Sequence, residues 1–186
     1  MLAALAVLSA GQLPAAWAAP ASAAVPEILN CTVNASVTFS PPLSASALAT
    51  TVAIGGTVSN CVDSRTGGAA VVGGSLSATL LFSRLSCSPL PPPALAAGSS
   101  ATFTWNLRDG TQAGSTVTGI AVTEVDGAGT LTGTVTGASS RLAGEKLTAV
   151  LNIDSDQPVV DNCLSVILGT GDPIPRSTLT ADVAFS

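Results

Sequence analysis

The stretch Ala101 to Thr118, ATFTWNLRDGTQAGSTVT, decides the fold class of this chain. Phe103, Trp105 and Leu107 alternate with polar residues, so a strand here has one apolar face and one polar face. Asp109-Gly110 follows directly, and this dipeptide favours a tight turn because glycine accepts a positive φ. The pattern predicts a central hairpin that places Phe103, Trp105 and Leu107 in the core, where a tryptophan ring buries a large apolar area.

The same alternation recurs along the chain, and no stretch shows a sustained helical period. It predicts about nine short strands, each with one covered face, which is typical of antiparallel sheets. We therefore expect an all-β fold, an antiparallel Ig-like β-sandwich, with a closed β-barrel as the alternative. The apolar register shifts from Val117 to Ile120, and Gly119 at the shift predicts a β-bulge. The other strands are expected within 31–39, 52–61, 76–82, 115–122, 130–136, 147–153, 164–168 and 179–185.

The surface chemistry is neutral and rich in hydroxyl groups. Charged residues make up 9% of the chain, far below the roughly 25% of average proteins. The net charge is −5, and the six Lys and Arg residues are scattered along the sequence. Nucleic acids and anionic membrane surfaces are bound through clustered basic residues, so neither is an expected partner.

The N-terminal segment, residues 1–24, is expected to be a signal peptide that is removed. Leu2 to Leu8 form an apolar run that is too short to span a bilayer, and small residues follow it. The segment lacks the usual basic residue near its start, and a buried N-terminal helix is the alternative interpretation. Residues 25–186 are then a single domain. No later stretch is long and apolar enough for a transmembrane anchor, so a secreted or cell-surface location is expected.

Four cysteines, Cys31, Cys61, Cys87 and Cys163, are present in the expected mature chain. An even number of cysteines in an exported protein predicts two disulfides. Three connectivities are possible, and we favour Cys31–Cys61 with Cys87–Cys163. A metal site is the competing interpretation, but the spacings are wide and the chain has no histidine.

Catalytic motifs are missing from the sequence, so we do not expect an enzyme and assign no catalytic residue. The absence of histidine excludes Ser-His-Asp and Cys-His mechanisms. Neither a GxSxG nucleophile elbow nor a phosphate-binding P-loop occurs. A pair of carboxylates remains as a route to hydrolysis, although most of the acidic residues lie at expected turns, where Asp hydrogen-bonds the backbone.

One acidic cluster, DSDQPVVDNC, contains Asp154, Asp156 and Asp161. Three carboxylates on one loop are a candidate calcium site, because calcium prefers oxygen ligands. The loop lacks the glycine and the terminal glutamate of an EF-hand, and a solvated acidic loop is the simpler interpretation. No cofactor is therefore expected.

The mature region resembles a group of small exported proteins of high-GC Gram-positive bacteria that have no assigned activity. These proteins share a cysteine in the first strand, a tryptophan-containing hairpin, a Thr/Gly-rich strand and a late cysteine before a final strand that ends in Phe. The resemblance implies a bacterial, exported, Thr/Gly/Ala-rich β-sandwich. The residues that carry it are Cys31, Thr104-Trp105-Asn106, Asp109-Gly110, Gly129 to Thr136, Cys163 and Phe185.

Residues 31–61 are also similar to the start of fimbrial and spore-coat-like subunits. In those proteins a disulfide ties the first strand to the next within an incomplete Ig-like fold, as CTVNASVTF and GGTVSNC would allow here. The chain departs from that pattern at Phe185, where many pilins carry tyrosine. No long donor strand is evident between Ala19 and Pro26.

These observations predict an exported, non-enzymatic protein that is structural or adhesive at the cell envelope or in the medium. Cell-wall components or other copies of the chain are the partners considered. A subunit of a surface fibre or pilus-like polymer is the first alternative. A small-ligand-binding barrel or a carboxylate-based hydrolase is the second.

Overall fold

The computed structural model describes residues 28–88, 93–125, 128–137, 141–151 and 157–186, with the backbone alone at 124, 125, 128 and 157–161. In these residues the chain forms nine strands and one helix. In chain order they are β1 (Leu29–Leu43), β2 (Leu48–Asp63), β3 (Val71–Leu85), β4 (Ala94–Leu95), β5 (Ser100–Leu107), β6 (Gln112–Val125), β7 (Ala128–Thr136), β8 (Lys146–Leu151), α1 (Gln157–Ile167) and β9 (Ile174–Phe185).

Eight of the strands close into an antiparallel barrel in the order β1-β2-β3-β5-β6-β7-β8-β9. The ring closes because β1 pairs with both β2 and β9, while β3 pairs with both β2 and β5. The two-residue strand β4 pairs with the end of β3, beyond the part that pairs with β5. The all-β prediction is confirmed. The barrel alternative fits this topology, and the Ig-like sandwich is not confirmed.

Alternating side chains fill the barrel, as the sequence pattern predicts. Phe103 and Trp105 are buried in the main core, and Leu107 packs against it. The predicted turn forms at Asp109-Gly110, where Gly110 has a φ of 84°. The predicted bulge is present as well: β6 gains one residue on β7 between Thr118 and Ala121, and Gly119 has a φ of 62°.

The two ends of the barrel differ, and each carries one disulfide. One end, here named the closed end, is covered by Leu142, which inserts into the main core. Near this end, Cys31–Cys61 joins β1 to β2. At the helix end, Cys87–Cys163 joins the segment after β3 to α1. The structure therefore contains the connectivity that we favoured from the sequence.

The prediction that no helix forms is wrong, and so is the strand expected at 164–168. Residues 157–167 form α1, and Leu168 lies in the turn that follows it. Leu164, Val166 and Leu168 alternate like a strand, but Cys163 and Val166 also repeat at a helical spacing of three. Tertiary contacts decide between the two periods: Val166 is buried against Leu43 and Ile174, whereas Leu164 and Leu168 are exposed.

Candidate functional site

Three aromatic rings fill the closed half of the barrel interior. Phe103 and Trp105 stack with ring centroids 4.9 Å apart, and Phe185 meets both rings edge-on at 5.2 and 5.4 Å. These offset and edge-to-face arrangements are the favoured geometries of aromatic pairs. Trp105 Nε1 donates a hydrogen bond of 2.9 Å to Ser115 Oγ. The closed half is therefore a packed core in which the polar atom of the tryptophan has a partner.

An apolar cavity lies beyond these rings, in the half of the barrel nearer the helix end. Its volume is about 50 Å³, and all eight barrel strands contribute side chains to its lining. Every lining residue is hydrophobic, among them Phe103, Leu80 and Leu151. The interior of an eight-stranded barrel is just wide enough to be filled by side chains or to hold one small ligand. In this barrel, side chains from all eight strands surround that space.

A buried ion cluster covers the closed end. Asp63 accepts hydrogen bonds of 2.7 Å from both Arg65 Nε and Arg65 Nη2, and further bonds from the backbone N–H groups of Arg65 and Val71. Arg65 Nη1 donates to Glu145 Oε1 at 3.3 Å. Arg141 Nη2 lies 4.0 Å from Asp63 Oδ2 and donates to a backbone carbonyl in the loop after β2. The cluster contains two cations and two carboxylates, so its formal charges balance.

The two carboxylates of this cluster are shifted in opposite directions. Burial would raise the pKa of Asp63, but the hydrogen bonds from Arg65 and from the Val71 N–H outweigh burial and lower the pKa to about 2. Burial is the larger effect at Glu145, and it raises the pKa of that carboxyl despite the attraction of Arg65. Opposed shifts of this kind occur both in acid–base pairs and in structural ion networks.

The geometry favours the structural interpretation of the ion cluster. A carboxylate has about four lone-pair positions, and Asp63 already accepts four hydrogen bonds. Its side chain is 2% exposed, so a substrate proton cannot reach it without dismantling the cluster. The cluster joins the loop after β2 to residues 141–145. Leu142, within that segment, fills the closed end of the barrel.

The outer face of β3 and β5–β8 carries an array of hydroxyl groups, here named the hydroxyl wall. Pairing aligns one row across four strands: Ser77 lies opposite Thr102, Thr102 opposite Thr116, and Thr116 opposite Thr136. All four residues of the row are exposed. The wall comprises Ser75, Ser77, Thr102, Thr104, Thr116, Thr118, Thr132, Thr134, Thr136 and Thr148.

A shallow groove of about 610 Å³ runs between α1 and the outer face of β1 and β9. Ser36, Thr38, Asn162, Arg176 and Thr178 supply its polar groups. The described lining contains hydroxyls, one amide and one guanidinium but no carboxylate. It can donate hydrogen bonds to a ligand, and it holds no general base.

The calcium candidates are not brought together by any described geometry. Asp154 and Asp156 lie outside the described residues, and Asp161 lies in α1. Among the described residues, no group of three or more His, Cys, Asp or Glu side chains is placed to hold a metal ion. The cysteines singled out from the sequence all form disulfides.

Sequence reasoning missed the ion cluster because its members are far apart in the chain. Asp63 and Arg65 share a strand-like spacing of two, which was a usable local signal. Arg141 and Glu145 are separated from that pair by more than seventy residues. Only closure of the barrel brings the two pairs together.

No helix in the described part of the chain is long and apolar enough to cross a membrane. No protein-family model, no curated protein and no solved structure matches the chain. The function is therefore argued from the chemistry of the barrel alone.

Proposed function

We propose that this protein is an exported, non-enzymatic contact module that binds neutral polysaccharide of a cell envelope through the hydroxyl wall. The observation that carries the proposal is the row Ser77, Thr102, Thr116 and Thr136, which spans four neighbouring strands with exposed side chains. The row presents one hydroxyl at each strand, and the Thr136 hydroxyl also donates a hydrogen bond to the Thr116 carbonyl oxygen within the wall.

The chemistry of the wall suits an uncharged, hydroxyl-bearing polymer. Threonine offers a hydroxyl that both donates and accepts, beside a methyl group that packs on carbon–hydrogen faces. Adjacent rows repeat at about 4.8 Å across strands and about 6.8 Å along them. The sequences of the five wall strands contain three charged residues, Arg84, Glu124 and Lys146. A neutral surface with many weak contacts favours a repeating polymer, because multivalent contact adds affinity.

Export is supported by the two disulfides. Such bonds persist in oxidising compartments and are rare in the cytosol of mesophiles. One bond joins β1 to β2 within the barrel, and the other ties α1 to the segment after β3. This is consistent with a working location in the envelope or the medium.

Barrel closure favours a contact module over a fibre subunit. Polymerisation by strand exchange needs an unpaired sheet edge to receive the donor strand. Each of the eight barrel strands has a hydrogen-bonded neighbour on both sides, and the remaining strand, β4, has only two residues. The wall itself is therefore the more suitable surface for contact.

The experiment measures co-sedimentation of residues 25–186 with insoluble, purified cell-wall polysaccharide. The test variant is Thr102→Val/Thr116→Val/Thr136→Val, which removes three hydroxyls and keeps β-branched shape. The control is Thr51→Val/Thr57→Val/Thr66→Val, on β2 and in the loop that follows it, outside the hydroxyl wall, and these threonines are exposed as well. Each hydrogen bond contributes about 0.5–1.5 kcal/mol, so we expect the wall variant to lose more than about tenfold in affinity.

The control triple variant should bind like the unchanged protein. The same affinity should persist from low to high salt, because contacts between uncharged groups are not screened. Equal binding by both triple variants, or steep loss of binding in salt, would show that the wall is not the contact surface.

A further inference from the structure

The cavity exists because small residues oppose each other inside the barrel. Ala78 and Ala101 are direct partners on β3 and β5. Ala149 and Ala181 are on the adjacent strands β8 and β9. Strands four places apart in an eight-membered ring lie on opposite sides, so β3 faces β8 and β5 faces β9. All four alanines line the same cavity. Because their side chains are small, they leave the space between the opposite strands unfilled.

The size and lining of this cavity restrict what can occupy it. A water molecule needs two to four polar partners, and the lining has no polar side chain. A dry cavity of about 150 Å³ accepts benzene, whereas this one has about 50 Å³. A ring is therefore too wide, and the end of a linear hydrocarbon chain is the apolar group that fits.

The lining also indicates the direction of entry. Toward the closed end Phe103 lines the cavity and is fully buried, and Trp105 and Leu142 block the path further on. Toward the helix end the inward-facing Ile120, Leu131 and Leu179 line the cavity and are only partly buried. They pack against a second cluster of buried residues, Val37, Val52 and Leu80. A chain would enter between these side chains and stop against the aromatic rings.

We propose that the barrel interior binds the terminal methylenes of a linear alkyl chain, which enters from the helix end with its methyl group toward Phe103. The four alanines set the width of the site, and Ile120, Leu131 and Leu179 move aside at its mouth to cover the rest of the chain. This site is separate from the hydroxyl wall, and the wall triple variant should retain it.

The test uses 1-octanol as a neutral linear probe and cyclohexanol as the ring control. Trp105 is the only tryptophan in residues 25–186, and it stacks on Phe103 of the cavity lining. Its fluorescence should therefore report occupancy. We expect saturable binding of 1-octanol at one site per chain and no saturable response to cyclohexanol at the same concentrations.

The matched variants are Ala149→Val, which fills the cavity, and Ala53→Val, which adds the same groups on the exposed outer face of β2. Ala149→Val should weaken 1-octanol binding at least tenfold, and Ala53→Val should leave it unchanged. Ala181→Val is the second filling variant if Ala149→Val fails to fold. Absence of saturable binding to the unchanged protein, or equal binding after filling, would overturn the proposal and leave a packing void.

Discussion

Trp105 Nε1 donates its hydrogen bond to Ser115 Oγ across the β5–β6 hairpin, with both residues inside the barrel. Trp105 is 0% and Ser115 is 2% exposed, so no solvent can replace either partner. A buried donor without an acceptor costs its full desolvation energy. This one contact therefore couples the register of the hairpin to the packing of the aromatic cluster.

Replacing Ser115 with alanine should destabilise the protein by about 1–3 kcal/mol, because the indole N–H loses its acceptor. The control is Ser77→Ala, which removes an exposed hydroxyl from the outer face and should change stability by less than about 0.5 kcal/mol. Urea denaturation followed by circular dichroism measures both. Equal stabilities of the two variants would contradict the importance of the buried bond.

Replacement by alanine should affect the stability of the protein differently at two adjacent glycines of β2. A Cβ at Gly56 would overlap the Asn34 carbonyl oxygen and lie 2.6 Å from Ala35 Cα, whereas a Cβ at Gly55 meets nothing within 4 Å. Gly56→Ala should cost about 1–3 kcal/mol through overpacking. Gly55→Ala should be neutral or stabilise by up to about 1 kcal/mol through the unfolded chain. Thermal unfolding of both variants decides, and similar melting temperatures would refute the close approach of β1 and β2.

Asp63→Asn should cost about 3–5 kcal/mol at pH 7, because it removes the carboxylate that accepts two hydrogen bonds from the buried Arg65 side chain and leaves Glu145 alone to balance that charge. The folded pKa of Asp63 is about 2, below its ordinary value of 3.8. The ionised carboxylate therefore stabilises the fold above pH 3.8, and this contribution is lost as the pH falls toward 2. The shift corresponds to about 2 kcal/mol.

The unchanged protein and Asp63→Asn should therefore become more similar in unfolding free energy at low pH. The difference between them should fall by about 2 kcal/mol from pH 4 to pH 2. The raised pKa of Glu145 acts in the opposite direction, and Asp63→Asn removes the repulsion by Asp63 that contributes to this shift. Asp172→Asn, in an exposed loop, serves as the control for the loss of one carboxylate outside the ion cluster. If the difference in unfolding free energy stays constant between pH 4 and pH 2, the ion cluster does not stabilise the closed end of the barrel.

Removal of the Cys87–Cys163 disulfide should release α1 and leave the barrel intact. Among the α1 residues whose side chains are described, 162–167, Val166 is the buried one, and it packs against Leu43 and Ile174. In Cys87→Ser/Cys163→Ser, amides of residues 162–168 should exchange at least about tenfold faster, with β5 unchanged. The Cys31→Ser/Cys61→Ser variant should keep α1 protection. Uniform exchange changes in both variants would show that α1 and the barrel unfold together.

The hairpin, its turn and the bulge at Gly119 were predictable because their causes are local. Period-two alternation, an Asp-Gly pair and a register shift all lie within about twenty residues. Alternation alone cannot separate a sandwich from a barrel, because both have one covered face per strand. The difference depends on pairing of β2 with β3 and of β1 with β9 in the same ring, which no local pattern encodes.

The cavity and the ion cluster were less predictable, because they also depend on contacts between residues that are far apart in the sequence. The cavity depends on Ala78 and Ala101 facing Ala149 and Ala181 across the ring, and the ion cluster depends on two loops meeting at one barrel end. The helix α1 was missed because Leu164, Val166 and Leu168 fit a strand period, while burial of Val166 selects the helical one.

The cavity, the paired strand edges and the position of the hydroxyl wall all depend on closure of the barrel. Interstrand Hα and amide NOEs in a uniformly labelled sample test it most directly. A closed barrel should give contacts of Ala53 with Thr79, between β2 and β3, and of Asn34 with Thr180, between β1 and β9. Both sets of contacts should occur in one monomeric species. A spectrum that shows only one of these two strand pairings would mean an open sheet or a sandwich and would contradict the account.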